Sequence, residues 1–87
     1  MSNLDVEFQK AIQRVHSAPR VNPPSDEVRL CFYANYKQAI EGDIHAAAPS
    51  VFRFRARAKW NAWNQVKGLS TTQAKVNYIK LTNTYMP

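Results

Sequence analysis

The chain has 87 residues with a net charge of +6, ten aromatic residues and one cysteine. This length allows one small domain with a single core and leaves little room for a separate catalytic domain. A lone cysteine excludes an internal disulfide, and no apolar run approaches the ~20 residues that a membrane-spanning helix needs. Because the first residues also lack the pattern of a signal peptide, we expect one cytoplasmic domain over 1–87.

The charges are distributed unevenly along the sequence. All six acidic residues lie in the first 43 positions, whereas the remainder carries seven Lys or Arg and no acid. A folded domain should therefore present a basic region built mainly from its C-terminal elements. Phosphates, nucleic acid and acidic membrane surfaces all suit such a region, and a merely solvated basic surface explains the same composition.

The first of four helical patterns places apolar residues at i, i+3, i+4 and i+7, namely Phe8, Ala11, Ile12 and Val15. Acidic residues precede this stripe and basic residues follow it, as the helix dipole favours. The pattern predicts a helix over about 4–16. With three further helical patterns after it, the sequence indicates an all-α fold.

Three prolines between residues 17 and 24 should end the first helix, and Ser25 is a good N-cap for a second one. We expect this second helix over 26–41, with Gly42 as its C-cap. Its apolar residues cover more than half of the circumference, so it must be covered on two sides. Cys31 falls within it and is expected to be a small buried residue.

The third pattern begins with an ambiguity. Residues 51–58 alternate apolar and basic side chains at period two, which alone favours a strand, but an Ala-rich and Trp-containing segment follows. We expect extended chain to become helix near Arg55 or Ala56, with Gly68 as the stop. The helical stripe consists of Ala56, Trp60 and Trp63.

The fourth pattern starts at a capping box, in which Ser70 and Gln73 stand at the required spacing. A tight apolar stripe then predicts the final helix. Its members are Ala74, Tyr78, Leu81 and Tyr85.

Catalytic and metal-binding patterns are hard to find. There is no glycine-rich phosphate loop, and no His or Cys pair stands at metal-ligand spacing. His16 and His45 are isolated, and the simplest interpretation of each is a solvent-facing or loop histidine. The sequence therefore indicates binding more than catalysis.

Two stretches place lysine beside aromatic rings. Tyr33, Tyr36 and Lys37 stand at i, i+3 and i+4 of the second helix, and Lys59 lies beside the tryptophan stripe of the third. Aromatic rings can stack on a purine, phenols can hydrogen-bond phosphate, and lysines supply positive charge for phosphate oxygens. Ordinary core packing explains the same aromatic spacing, above all for Tyr78.

Taken together, these blocks closely resemble the acyl-CoA-binding protein family. The resemblance covers nearly the whole chain, from Phe8 to about Tyr85, and rests on independent blocks in the same order and at the same separation. The blocks are Tyr33-x-x-Tyr36-Lys37-Gln38-Ala39, Gly42-Asp43-Ile44, Phe54-x-x-x-Ala58-Lys59-Trp60-x-Ala62-Trp63-Asn64, Lys67-Gly68-x-Ser70 and Ala74-x-x-x-Tyr78-Ile79.

The resemblance implies a four-helix bundle of up-down-down-up topology that binds long-chain fatty acyl-CoA thioesters non-covalently. It implies an intracellular carrier and pool buffer that is no enzyme, needs no cofactor or metal and acts as a monomer. Acyl-CoA-using enzymes are the expected recipients, nucleic acid is not an expected partner, and membrane contact is at most transient.

It also implies residue roles. Tyr33, Tyr36 and Lys37 correspond to head-group residues that contact the 3′-phosphate and the adenine, Lys59 to a phosphate-binding lysine, and Tyr78 to an aromatic residue near the adenine. Arg55 falls at a basic position on the edge of the site. The full set of expected ligand-binding residues is His16, Tyr33, Ala34, Asn35, Tyr36, Lys37, Arg55, Lys59 and Tyr78.

This sequence departs from the family pattern in several places. His16 replaces a lysine, and imidazole is mostly neutral at pH 7. The loop after the first helix is about two residues longer than the common form, and Arg53, Arg55 and Arg57 make one edge more basic. Two other functions remain open at this point: a nucleic-acid-binding helical domain, suggested by the cluster from Arg53 to Lys59, and an enzyme such as a thioesterase or isomerase of CoA esters.

Overall fold

The computed structural model describes residues 3–18 and 23–86. Over these residues every regular element is a helix, which confirms the predicted all-α class. None of the described helices is long and apolar enough to cross a membrane. The four helices are α1 (Asn3–Ser17), α2 (Asp26–Glu41), α3 (Phe54–Gln65) and α4 (Thr71–Tyr85).

Both ends of α2 are capped as predicted. The Ser25 hydroxyl accepts a hydrogen bond from the Val28 N–H at 3.3 Å, which satisfies one of the free donors of the first turn. At the other end Gly42 has φ +79°, and its N–H donates to the Gln38 carbonyl at 3.1 Å. This left-handed conformation favours glycine, so Gly42 stops the helix where expected.

The start of α4 is also confirmed, because the Ser70 hydroxyl accepts from the Gln73 N–H at 3.0 Å. Only one arm of the predicted capping box forms. The Gln73 side chain donates forward to Asn77 at 2.9 Å instead of reaching back to the N-cap.

The start of α3 differs from the prediction. The Ser50 hydroxyl accepts from the Phe52 N–H at 3.2 Å, and the Ser50 carbonyl accepts from the Arg53 N–H at 3.0 Å. These bonds close a turn at Val51 and Phe52 where extended chain was expected, and the helix begins at Phe54. A local side-chain bond has thus overridden the period-two pattern.

The described core lies along one side of α2. α2 packs against both α3 and α4, and α1 packs against α4; the two-sided cover predicted for α2 is therefore correct. Tyr78 stands at the centre, with its ring centroid 5.4 Å from that of Phe8 and 5.3 Å from that of Phe32, both edge to face. The buried members of the core cluster are Phe8, Ala11, Phe32, Ala39, Ala74 and Tyr78.

The prediction for Cys31 is wrong, because its side chain is exposed. The buried positions of α2 begin one residue later, at Phe32. Residues 19–22, which fall in the proline-rich loop expected to be long, lie outside the described residues.

A buried amide joins α2 to the two helices that follow it. Gln38 has no exposed surface, and its Nε2 donates to the Asp43 carboxylate and to the Leu69 carbonyl, each at 2.8 Å. Its Oε1 accepts from the Trp63 indole N–H at 3.2 Å. The same carboxylate of Asp43 accepts from the Gly68 N–H at 2.7 Å. Gln38 therefore ties the end of α2 to α3 and to the turn before α4.

Candidate functional site

An open pocket of about 170 Å³ lies at the surface of α2. It is smaller than the ~300–1,000 Å³ of a typical small-molecule site, so it suits one ring system of a larger ligand. Aromatic rings form most of its wall. The lining residues are His16, Phe32, Tyr33, Tyr36 and Tyr78.

Two of the pocket tyrosines continue the aromatic cluster of the core. The Tyr36 and Tyr78 ring centroids are 6.2 Å apart, and Tyr36 also lies 6.5 Å from Phe8. Burial, with a smaller contribution from the nearby Tyr36, raises the pKa of Tyr78 to about 12. The Tyr78 phenol is therefore neutral at physiological pH and keeps its proton as a hydrogen-bond donor. The Tyr78 ring therefore belongs to the core and also lines the pocket. Core packing and a place in the candidate site, the two interpretations of Tyr78 from sequence, do not exclude each other.

Lys59 approaches this pocket from α3. Its Nζ lies 5.4 Å from the centroid of the Tyr33 ring, within the range of a cation–π contact. The lysine is exposed, and no carboxylate of the described chain lies within ion-pairing distance of it. An unpaired ammonium beside an aromatic wall is suited to an anionic group attached to a flat ring.

Lys37 is held differently from Lys59. Its Nζ donates to Glu41 at 2.6 Å and lies 5.3 Å from the Trp63 ring centroid. The hydrogen bond that Lys37 donates to Glu41 raises the pKa of Lys37, so the ammonium stays charged. Lys37 points along α2 toward Glu41 and is absent from the pocket lining. To bind a ligand phosphate, the Lys37 ammonium has to break its hydrogen bond with the Glu41 carboxylate.

The two histidines and Arg55 lie at different positions. His16, one of the predicted ligand-binding residues, is exposed and lines the pocket from α1. His45, which was expected to be a solvent-facing or loop histidine, is exposed in the loop after α2. Arg55 is exposed on the first turn of α3, outside the pocket lining. The structure therefore brings His16 to the tyrosine wall and leaves Arg55 at the edge of the domain.

Ala34 and Asn35 are buried, with 3% and 7% of their surface exposed. The Asn35 amide donates to the Cys31 carbonyl at 2.9 Å and accepts from Asn77 of α4 at 3.2 Å. The first of these bonds lies within α2 and the second joins α2 to α4, and neither Ala34 nor Asn35 lines the pocket. Ligand contact by Ala34 or Asn35 stays a prediction.

Sequence reasoning missed two residues of this region. Phe32 lines the pocket. The sequence did not indicate this, because Phe32 is one of many apolar residues around α2. Glu41 pairs with Lys37, and this contact was readable because a lysine and a glutamate at i and i+4 are neighbours on a helix.

Fold and site together define a small all-α protein with an aromatic pocket beside an exposed lysine. The model of the acyl CoA binding protein family matches residues 5–82 of the chain. The protein belongs to the acyl-CoA-binding protein family.

Relatives with similar sequences carry corresponding names. Acyl-CoA-binding protein homolog 3 of Caenorhabditis elegans is 34% identical over 83 residues, which span 93% of this chain and 72% of that protein. Acyl-CoA-binding domain-containing protein 1 of Oryza sativa is 38% identical over 87% of this chain and 81% of its own length. Enoyl-CoA delta isomerase 2 of Rattus norvegicus is 40% identical, but the match spans only 19% of that protein, so its isomerase name does not extend to this chain.

Solved structures agree with the fold. The crystal structure of Oryza sativa Acyl-CoA-Binding Protein 2 superposes with a TM-score of 0.88 at 32% identity, covering 94% of this chain and 87% of that one. ACBP from Moniliophthora perniciosa gives a TM-score of 0.84 at 36% identity, over 93% of this chain and 76% of that one. The predicted bundle of the acyl-CoA-binding protein type is confirmed.

Proposed function

We propose that this chain binds long-chain fatty acyl-CoA thioesters non-covalently and acts as a carrier and pool buffer in lipid metabolism. The observation that carries this proposal is the aromatic pocket with Lys59 above Tyr33, in a chain of this family. An adenine ring can stack on an aromatic ring of the wall, and phosphates match the ammonium and the phenols.

The roles of individual residues belong to the same proposal. Tyr33 and Tyr36 form the wall beside the adenine, with Tyr78 at its base as a neutral donor. Lys59 binds phosphate directly, while Lys37 does so after leaving Glu41. Arg55, at the edge, contributes charge at longer range.

The acyl tail supplies the larger share of the binding free energy. Removal of a methylene group from water is worth about 0.8 kcal/mol, so ten buried methylenes give roughly 8 kcal/mol before ordering costs. Free CoA lacks the tail and free fatty acid lacks the phosphates. Each should bind far more weakly than the thioester.

We further propose that the chain is a single domain that works as a monomer in the cytoplasm, hands its ligand to acyl-CoA-using enzymes and catalyses no reaction itself. Incubation with palmitoyl-CoA followed by an assay for free thiol tests the last statement. Release of CoA above the rate of a protein-free control would identify a thioesterase instead.

Isothermal titration with palmitoyl-CoA, beside CoA and palmitate, tests the binding proposal. Lys59→Ala should weaken thioester binding about tenfold or more, because a charge-assisted contact with phosphate is lost. Lys80→Ala is the matched control, since Lys80 is an exposed lysine of α4 outside the pocket. No binding of any acyl-CoA at two titration temperatures, or equal losses in both variants, would contradict the proposal.

A further inference from the structure

The turn before α3 and the first residue of α3 expose large apolar side chains that the proposed head-group site does not use. The exposed fractions are 58% for Val51, 83% for Phe52 and 77% for Phe54. Three such residues within four positions give this part of the surface an apolar projection, which is unusual on a small domain.

Basic residues surround this projection. Arg53 and Arg55 are exposed between and beside the phenylalanines, and no carboxylate of the described residues lies within ion-pairing distance of either. No acidic residue occurs anywhere after Asp43 in the sequence. We call this surface, formed by residues 51–55, the docking edge.

Arg53 and Arg55 lie at the N-terminus of α3, where positive charge does not favour helix formation. α3 has no acidic residue in its first turn, and its N-cap, Arg53, makes no side-chain capping bond. Positive charge at a helix N-terminus opposes the helix dipole. The charge of the docking edge therefore disfavours the helix slightly and attracts an anionic partner.

We propose that the docking edge binds the surface of an anionic phospholipid bilayer. Phe52, with its neighbours Val51 and Phe54, enters the boundary between headgroups and acyl chains, and the arginines meet the lipid phosphates. A nucleic-acid strand fits less well, because single-stranded nucleic acid follows a groove, whereas this surface is a projecting turn that includes the aliphatic Val51. The proposal does not depend on the proposed ligand.

The turn is held in shape by its own bonds, so the projection does not need the membrane in order to form. Ser50 accepts hydrogen bonds from Phe52 and Arg53. Arg57 donates to the Pro49 carbonyl at 2.9 Å and lies over Trp60, with its guanidinium carbon 5.7 Å from the ring centroid. A pre-formed edge loses little conformational entropy on binding.

Co-sedimentation with vesicles tests the proposal. The chain should sediment with vesicles of phosphatidylcholine and phosphatidylserine and much less with phosphatidylcholine alone. Arg53→Glu should lower the partition coefficient about 25-fold, a factor of roughly five for each unit of charge changed. Because glutamate is favoured at a helix N-terminus, unfolding would not explain that loss.

Two control variants on α4 test whether binding is specific to the docking edge. Lys80→Glu makes the same charge change as Arg53→Glu. Tyr85→Ser removes an exposed aromatic ring, as Phe52→Ser does at the docking edge. The proposal expects strong losses for Phe52→Ser and Arg53→Glu and small ones for both controls. Equal losses for the Arg53 and Lys80 variants would overturn it, since only net charge would then matter.

Two further outcomes would also overturn the proposal. Failure of the wild-type chain to bind anionic vesicles is one. Binding of an oligothymidylate in place of vesicles is the other, and it would support a nucleic-acid partner. Titration of Phe52→Ser with palmitoyl-CoA separates this proposal from the carrier function: retained ligand binding with lost vesicle binding is expected, whereas loss of both would assign Phe52 to the ligand site.

Discussion

α2 packs against α4 on one side and against α3 on the other, and the two contacts differ in how much apolar surface they bury. On the α4 side the contact is mainly apolar and buried, with Tyr78 packed edge to face on Phe8 of α1 and on Phe32 of α2. One hydrogen bond, from Asn77 of α4 to Asn35 of α2, adds to it. On the other side α3 has no buried residue. It is held by the indole N–H groups of its tryptophans and by the Gln38 network.

These indole bonds attach α3 through polar contacts at defined points. The Trp60 N–H donates to the Ala46 carbonyl at 2.8 Å, and the Trp63 N–H donates to the Gly42 carbonyl at 2.9 Å. Such contacts fix the position of a helix while filling little volume. One side of α2 therefore contributes the buried core that stabilises the domain, whereas the other side holds Lys59 beside an open pocket.

The largest expected difference between the two sides concerns stability. Phe8→Ala should lower the free energy of unfolding by about 3–5 kcal/mol, because a buried ring leaves a cavity against Tyr78. Phe54→Ala, the matched change on α3, should cost no more than about 0.5 kcal/mol, because that ring is exposed. Urea unfolding measures both values, and similar costs would contradict the contrast between α3 and the core that α1, α2 and α4 share.

The Gln38 network gives the next largest effect. Gln38→Met keeps a similar volume but leaves the Leu69 carbonyl without its side-chain donor and the Trp63 N–H without one acceptor. We expect a loss of about 1–3 kcal/mol by urea unfolding. Gln73→Met is the control, because Gln73 is exposed and should change stability by less than about 0.5 kcal/mol. Equal values would show that the network does not anchor α3.

Glu41 offers a smaller effect on ligand binding. Glu41→Gln removes the anion that holds Lys37 and should strengthen palmitoyl-CoA binding by up to about fivefold, the equivalent of about 1 kcal/mol for a partly exposed ion pair. Glu27→Gln removes the same charge at the other end of α2 and should change the affinity less. Titration calorimetry on the two variants makes the comparison. Unchanged or weaker binding in Glu41→Gln would show that Lys37 need not leave its partner.

The smallest effect is a change in acid stability. The Gly68 N–H, assisted by the Gln38 amide, lowers the pKa of Asp43 from 3.8. The contribution of the ionised carboxylate is therefore fully present above about pH 3.8 and is lost as the pH falls through the lower pKa of the folded state.

Asp43→Asn removes that titration and keeps an oxygen acceptor. Its melting temperature should fall less than that of the wild type between about pH 6 and about pH 3. Asp26→Asn is the control, because the Asp26 carboxylate is exposed and its ion pair with Arg29 is long, at 3.6 Å. A parallel fall for Asp43→Asn and the wild type would contradict the role given to Asp43.

Much of the bundle was predictable because its signals are local. Ser25, Gly42 and Ser70 cap helices through bonds within three or four residues, and the bounds of α2 follow from them. The start of α3 was missed because Ser50 closes a turn whose bonds the alternating pattern conceals. Cys31 was misjudged because exposure depends on where neighbouring helices pass, which a sequence pattern does not contain.

The site was predictable in composition more than in geometry. Helical spacing grouped Tyr33 with Tyr36, but it could not place Lys59 of α3 over the Tyr33 ring. The same spacing put Lys37 beside these rings, although its ammonium turns to Glu41. Contacts between helices and the choice among side-chain partners depend on tertiary packing.

The most direct test of the account is an amide chemical-shift titration of the labelled protein with palmitoyl-CoA. We predict the largest shifts around Tyr33, Tyr36 and Tyr78 and at Lys59 on α3, with little change at the exposed face of α1 remote from His16. Shifts confined to α1 and the outer surface of α4, with none at the tyrosine pocket, would contradict the central claim that this pocket holds the ligand.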